Sequence, residues 1–167
     1  AESLNRKRFS CSVISFFWGL DKTYDTLAPH TLFLADDYRE NFECIIRDLG
    51  LPDNPCLYIH APARLDPAMA PQGQGTLIAI VPVGHMSENG DQDWGQLRDE
   101  ARGQVFRRLA TLGITDLEAH IKFETTFTPL SWRKRYNLAK GSTHGLCHNL
   151  TQLGYFRPDF QHSRYHN

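Results

Sequence analysis

The spacing of apolar and polar positions separates strands from helices along most of the chain. SCSVISFFWGL, Ser10 to Leu20, is β-branched and aromatic without helical spacing, which predicts a strand. Its alternation sets Cys11, Val13, Ser15 and Phe17 on one face and Ile14, Phe16 and Trp18 on the other. Both faces are largely apolar, so the strand is expected to be covered on both sides. After Pro29, TLFLA predicts a second short strand, and DDYRENFECIIRDLGLP then predicts a helix. Asp37 and Glu40 stand at capping-box spacing, Tyr38, Phe42, Ile45, Ile46 and Leu49 form one apolar stripe, and Gly50 and Pro52 end the helix. CLYIHA (Cys56 to Ala61) and TLIAIVPV (Thr76 to Val83) predict two more strands, the second apolar enough to be central.

The PARLDPAMAPQGQG between them is far longer than a hairpin turn needs, which suggests a functional, self-packed or mobile loop. From Asp93 to Leu112, Trp94, Leu97, Ala101, Val105, Leu109 and Leu112 recur at helical spacing, closed by Gly113. DLEAHIKFETTF alternates, with Leu117, Ala119, Ile121 and Phe123 expected inward and Glu118, His120, Lys122 and Glu124 outward. Thr128 before Pro129 marks the start of a last helix, LSWRKRYNLAKG. This order of elements implies an α/β or α+β fold, a mixed sheet covered by amphipathic helices. Its 167 residues make one domain-sized unit.

Composition narrows the classes of function. Eighteen basic against nineteen acidic residues leave a net charge of -1, too small a field to steer a polyanion, so no nucleic-acid partner is expected. The NRKR run from Asn5 and the Arg133, Lys134, Arg135 cluster beside Trp132 and Tyr136 are expected to be solvated surface. Cys11, Cys44, Cys56 and Cys147 contain no CxxC pair and suggest reduced core thiols of an intracellular protein. No run reaches the ~18 apolar residues of a membrane span, and the first residues do not form a signal peptide.

The candidate chemistry concentrates in GSTHGLCHNLTQLGYFRP, Gly141 to Pro158. Gly141, Thr143 and Gly145 mimic a hydrolase elbow, but an elbow must follow a buried strand, and RKRYNLAK is polar and helix-like. His144, Cys147 and His148 would share one side of a helical turn, yet Gly145 weakens such a helix and no second ligand group follows at zinc spacing. No metal is expected. His60 and His85 are expected to be hydrogen-bonded structural residues. A dinucleotide fingerprint needs a glycine-rich turn from a strand into a helix; the only GxG, Gly73 and Gly75, precedes a strand. Phe16, Phe17, Trp18, Tyr155 and Phe156 suit either a core or a pocket for a long apolar ligand.

FFWGL, LFLADDYRENFECI, LYIHAPARLDPAMAPQGQGTLIAIVPVGH, FTPLSWRKRYNLAKGSTHGLCHNLTQLGYFRP and RYHN together resemble the later part of the phytoene desaturases of fungi and non-photosynthetic bacteria. These are carotenoid-pathway members of the flavin-containing amine-oxidoreductase superfamily, and the details look fungal. The resemblance implies an FAD-dependent oxidoreductase that introduces C=C bonds into C40 phytoene to give coloured acyclic carotenoids such as lycopene. It further implies an intracellular protein peripheral to a membrane surface, at the endoplasmic reticulum if fungal, and leaves room for a homo-oligomer.

By the same resemblance, residues 1–167 would be mostly substrate-binding domain, with 141–167 leading into a glycine-rich flavin segment beyond Asn167. An internal fragment of this kind is expected neither to hold FAD nor to turn over phytoene alone. Phe17, Trp18 and Gly19 would flank the substrate tunnel, and Tyr155 and Phe156 would add substrate contacts. Ser142, His144, Gly145 and Arg157 would lie towards the flavin. No catalytic acid or base is assigned. The competing reading is a non-enzymatic isoprenoid- or lipid-binding module.

Overall fold

The computed structural model describes residues 6–157. Asn5 of the basic run, Pro158 and the closing RYHN lie outside the described residues. Five strands form one sheet in the order β2-β3-β4-β1-β5: β1 is Ser12–Leu20, β2 His30–Phe33, β3 Leu57–His60, β4 Gly75–Val83 and β5 Ile121–Phe127. Every pairing is antiparallel, which corrects the expected mixed sheet. Parallel relations survive only between non-adjacent strands. The helix α2 (Trp94–Ala110) carries the chain from β4 across to β5, and β1 fills the slot between them, running opposite to both.

The first face of the sheet carries the core. Ile14, Phe16, Trp18 and Leu20 of β1 meet Leu57 and Ile59 of β3 and Leu77, Ala79, Val81 and Val83 of β4, under Ala101, Val105 and Leu109 of α2. Phe16 and Trp18 stack at 5.3 Å. β1 is buried nearly throughout, as its two apolar faces predict, and β4 is the other central strand. Asp93 caps α2 by accepting from the backbone N–H groups of Gly95 and Gln96, a contact worth about 1 kcal/mol. The buried Gln104 of α2 donates to the Pro52 carbonyl and ties the helix to the turn before β3.

Two expectations fail for local reasons. In α1 (Tyr38–Ile46), Asp37 does accept from the Glu40 N–H, but the apolar stripe does not turn inward: Tyr38 is 67% and Phe42 53% exposed. Asn41 takes the buried side instead, donating to the Asn54 carbonyl and accepting from the Cys56 N–H, with Ile45 one turn further along. Those bonds fix the roll of the helix, and the aromatic pair faces out.

The alternating segment from Asp116 also differs. Leu117–His120 is a 3-10 turn, held where Asp116 accepts from Lys22 and Tyr24 and His120 pairs with Asp21. Ile121 packs on the core as expected, but a register shift between Gly19 and Leu20 inverts the facing from Phe123 onward. Glu124 points under the sheet to the Trp18 indole N–H (2.7 Å) and Arg102 (2.9 Å), while Phe123 is 62% exposed on the opposite face. A buried indole N–H needs an acceptor and the carboxylate supplies it, which outweighs burying one more ring.

The long loop between β3 and β4 packs on itself through two 3-10 turns, Pro62–Arg64 and Pro67–Met69, with Arg64 paired to Asp25 at 2.6 Å. The last helix, α3 (Pro129–Tyr136), stops earlier than predicted, at Asn137 in the left-handed conformation. Among the described residues no helix is long and apolar enough to cross a membrane.

Candidate apolar groove on the second face of the sheet

The second face of the sheet is only partly covered, and α3 does the covering. Thr128 caps α3, Pro129 fills its first turn, and the Trp132 indole donates to the Val13 carbonyl at 3.0 Å, pinning the helix against β1. Trp132 stacks on Phe127 at 4.6 Å. Between α3 and the sheet runs an open groove of about 500 Å³. Its walls are apolar for the most part: Val13, Phe17, Ile80, Trp132 and Leu138 provide most of the surface, and Thr143 and His144 stand at one end. Such a lining favours a hydrocarbon ligand, with few polar groups to orient it.

Of the residues expected at the substrate, Phe17 lines this groove. Gly19 lies on the same face of β1, covered by the ring of Phe123, its partner on β5. Trp18 alternates to the other face, 2% exposed in the core. Tyr155 and Phe156 pack edge to face in a 3-10 turn, 97% and 62% exposed, and are not groove residues.

The residues expected near the flavin divide in the same way. The buried Ser142 hydroxyl lies 3.1–3.2 Å from the carbonyls of Ser10, Cys11 and Gly145, so it fastens the loop to the start of β1. Gly141 has φ +63, and a Cβ there would meet the Pro129 carbonyl oxygen at 2.2 Å; its crowding comes from the foot of α3. Gly145 has φ +69 and open space where a Cβ would stand. Arg157 is half-buried, its N–H bonded to the Gly154 carbonyl. His144 is at the exposed rim of the groove.

An unforeseen pair completes this end. His144 Nδ1 lies 3.7 Å from Cys11 Sγ, and the Ser10 hydroxyl donates to the same sulfur at 3.9 Å. Thr143 Oγ1 is 3.1 Å from the same ring nitrogen. Burial raises the Cys11 thiol, but the hydrogen bond and charge of His144 outweigh it, so the thiol is held below its ordinary range. The Cys11 contact in turn raises His144 against the opposing effect of burial. The pairing is built by backbone: Phe9 bridges Leu146, the Ser10 N–H donates to the Gly145 carbonyl, and the Cys147 N–H donates to Arg8. The sequence alternation places Cys11 on the face of Phe17, but nothing local brings in a histidine 133 positions away.

His60, His85, Cys56 and Cys147 have structural partners. His60 Nδ1 bonds the Pro29 carbonyl and its ring stacks on His30 at 4.6 Å; His85 bonds the Met86 carbonyl. Cys147 donates to the Phe9 carbonyl at 2.8 Å, away from any shared site with His144 and His148. All four cysteines are free and half-buried rather than core. Among the described residues no group of three or more His, Cys, Asp or Glu is placed to hold a metal ion. Nor do they form a pyrophosphate cradle, since no glycine-rich turn leads from a strand into a helix N-terminus.

No protein-family model matches the chain. Individual relatives do, along its whole length. It is 37% identical to a phytoene desaturase of Fusarium fujikuroi over 186 aligned positions, covering 100% of the chain and 32% of that protein. It is 40% identical to a phytoene desaturase of Neurospora crassa, over 95% of the chain and 27% of the relative. It is 36% identical to a zeta-carotene-forming phytoene desaturase of Myxococcus xanthus, over 100% of the chain and 32% of the relative. With this identity from end to end, the chain is a homologue of the phytoene desaturases and spans 27–32% of the length of these three relatives.

Proposed function

We propose that this chain forms part of the substrate-binding domain of an FAD-dependent phytoene desaturase, and that its groove is one wall of the polyene tunnel. The observation that carries the reading is the groove itself, open and apolar, on the face of the sheet that α3 leaves uncovered. Phe17, Ile80 and Leu138 bind a C40 hydrocarbon by excluding water from it, at about 25 cal/mol per Å² of apolar surface buried. Gly19, with no side chain, leaves room for the Phe123 ring against β1, extending the apolar wall. Trp18 acts from behind, filling the core beneath the wall and holding Glu124. Gly145, with open space at its Cβ position, leaves room for a planar group.

The flavin, when bound by the parent enzyme, supplies the hydride acceptor. The described residues offer no glycine-rich turn into a helix N-terminus to hold its phosphates. Alone, the chain holds no flavin and forms no carotenoid. The parent is an intracellular, fungal protein peripheral to a membrane surface.

Polyene binding is tested on the chain itself by adding an acyclic carotenoid in detergent micelles and following tryptophan fluorescence, with Trp132→Phe isolating the part due to Trp132. Quenching that Phe17→Arg abolishes supports the wall, and quenching unaffected by that change rejects it. Visible flavin absorbance from the purified chain would overturn the division of labour.

A further inference from the structure

The groove's lining includes an imidazole, His144, with the Cys11 thiol 3.7 Å from it, and neither is needed to bind a hydrocarbon. Cys11 Sγ lies 3.7 Å from His144 Nδ1, which donates to it when that nitrogen is protonated, and the Ser10 hydroxyl donates to the same sulfur at 3.9 Å. Both favour thiolate over thiol, and a thiolate beside an imidazolium is the reactive form of cysteine. The other three thiols are held differently. Cys147 spends its proton on the Phe9 carbonyl, Cys56 accepts from the Ala35 N–H, and Cys44 sits near the carboxylates of Glu40, Asp48 and Asp53, which oppose a second negative charge. Cys11 alone of the four has an imidazole against its sulfur, with Val13 next on the same face of β1 and His144 in the groove's own lining.

We infer that Cys11 and His144 form a nucleophile and acid pair at the rim of the groove, reactive towards apolar α,β-unsaturated carbonyl compounds. The Cys11 thiolate adds to the β-carbon of the conjugated alkene and forms the S–C bond. The π pair moves to the α-carbon and carbonyl as an enolate. His144 gives its proton to that enolate and is left as neutral imidazole. The thiol has added across the double bond, with no oxidant or reductant consumed. The groove selects among electrophiles, since Val13, Phe17 and Leu138 favour a hydrocarbon tail and offer a short, polar electrophile nothing. This inference stands on the pair and the groove and is independent of the desaturase reading.

The test uses the chain with a long-chain conjugated alkenal, dodecenal, against acrolein as the short comparator. Adducts are trapped with borohydride and each cysteine is followed by peptide mass spectrometry. Dodecenal is expected to modify Cys11 about tenfold faster than Cys44, Cys56 or Cys147, since thiolate character sets the rate. His144→Gln, at an exposed position, should slow Cys11 with both reagents. Leu138→Ser should slow only dodecenal. Equal labelling of the four cysteines, or a Cys11 rate indifferent to His144→Gln, overturns the pair. An unchanged preference for dodecenal in Leu138→Ser overturns the groove's part in it.

Discussion

The ring of Phe123 lies directly over the backbone of Gly19, its cross-strand partner, so closely that a Cβ on Gly19 would meet the ring at 2.0 Å. The ring is mostly exposed and can swing aside, whereas the backbone cannot. Gly19→Ala is therefore expected to cost about 1–2 kcal/mol in urea unfolding, as overpacking does. In the background of Phe123→Ala the same change should cost much less. Additive losses would mean that the ring does not rest there.

Beneath the sheet, Trp18 and Arg102 meet on one carboxylate, Glu124. Trp18→Ala should cost about 3–5 kcal/mol, as expected for emptying a buried indole site. Glu124→Gln should cost less, since an amide oxygen can still accept from the indole. In the full parent, Phe17→Ala is expected to alter the spread of products while leaving the fold intact, because only Phe17 of these two aromatic neighbours faces the groove.

The same carboxylate gives the fold an acid sensitivity. Burial raises Glu124, but hydrogen bonds from Trp18, Arg102 and Thr126 outweigh it, leaving the group below the usual carboxylate range. A carboxylate lowered by folding stabilises the native state fully above its unfolded value, about 4.3, and that stability is lost as pH falls through the lower folded value. Thermal midpoints of the wild type should fall below about pH 4.3 more steeply than those of Glu124→Gln. Parallel curves would remove Glu124 from the account.

Two glycines of one loop should respond differently to alanine. At Gly141 the added Cβ meets backbone, the Pro129 carbonyl, in a left-handed conformation, so Gly141→Ala should cost well over 2 kcal/mol. At Gly145 only the left-handed conformation opposes it, about 1–2 kcal/mol. Denaturant midpoints that fall equally would contradict this ordering.

Much of this architecture is legible in the chain. The double-faced apolar run of β1, the continuous apolar run of β4 and the caps at Asp37 and Thr128 are local signals, and the structure follows them. What escapes depends on distant partners. Tyr38 and Phe42 look like a buried stripe until Asn41 finds Asn54 and Cys56; Phe123 looks like an inward residue until Glu124 finds Trp18. The strand directions were invisible for the same reason, since nothing near β1 in sequence announces that it will lie between β4 and β5. At the groove, Phe17 is readable from alternation, whereas the Cys11 and His144 pair exists only through the pairing of the 144–147 segment with the start of the chain.

The central claim is that this chain supplies a substrate wall to a desaturase. It is tested most directly by putting the chain in place of the aligned segment of the Neurospora crassa phytoene desaturase and measuring carotenoids in phytoene-producing bacterial cells. Coloured acyclic polyenes from the chimera, lost on Phe17→Arg while flavin stays bound, are the predicted result. A flavin-loaded chimera that leaves phytoene colourless would contradict the account.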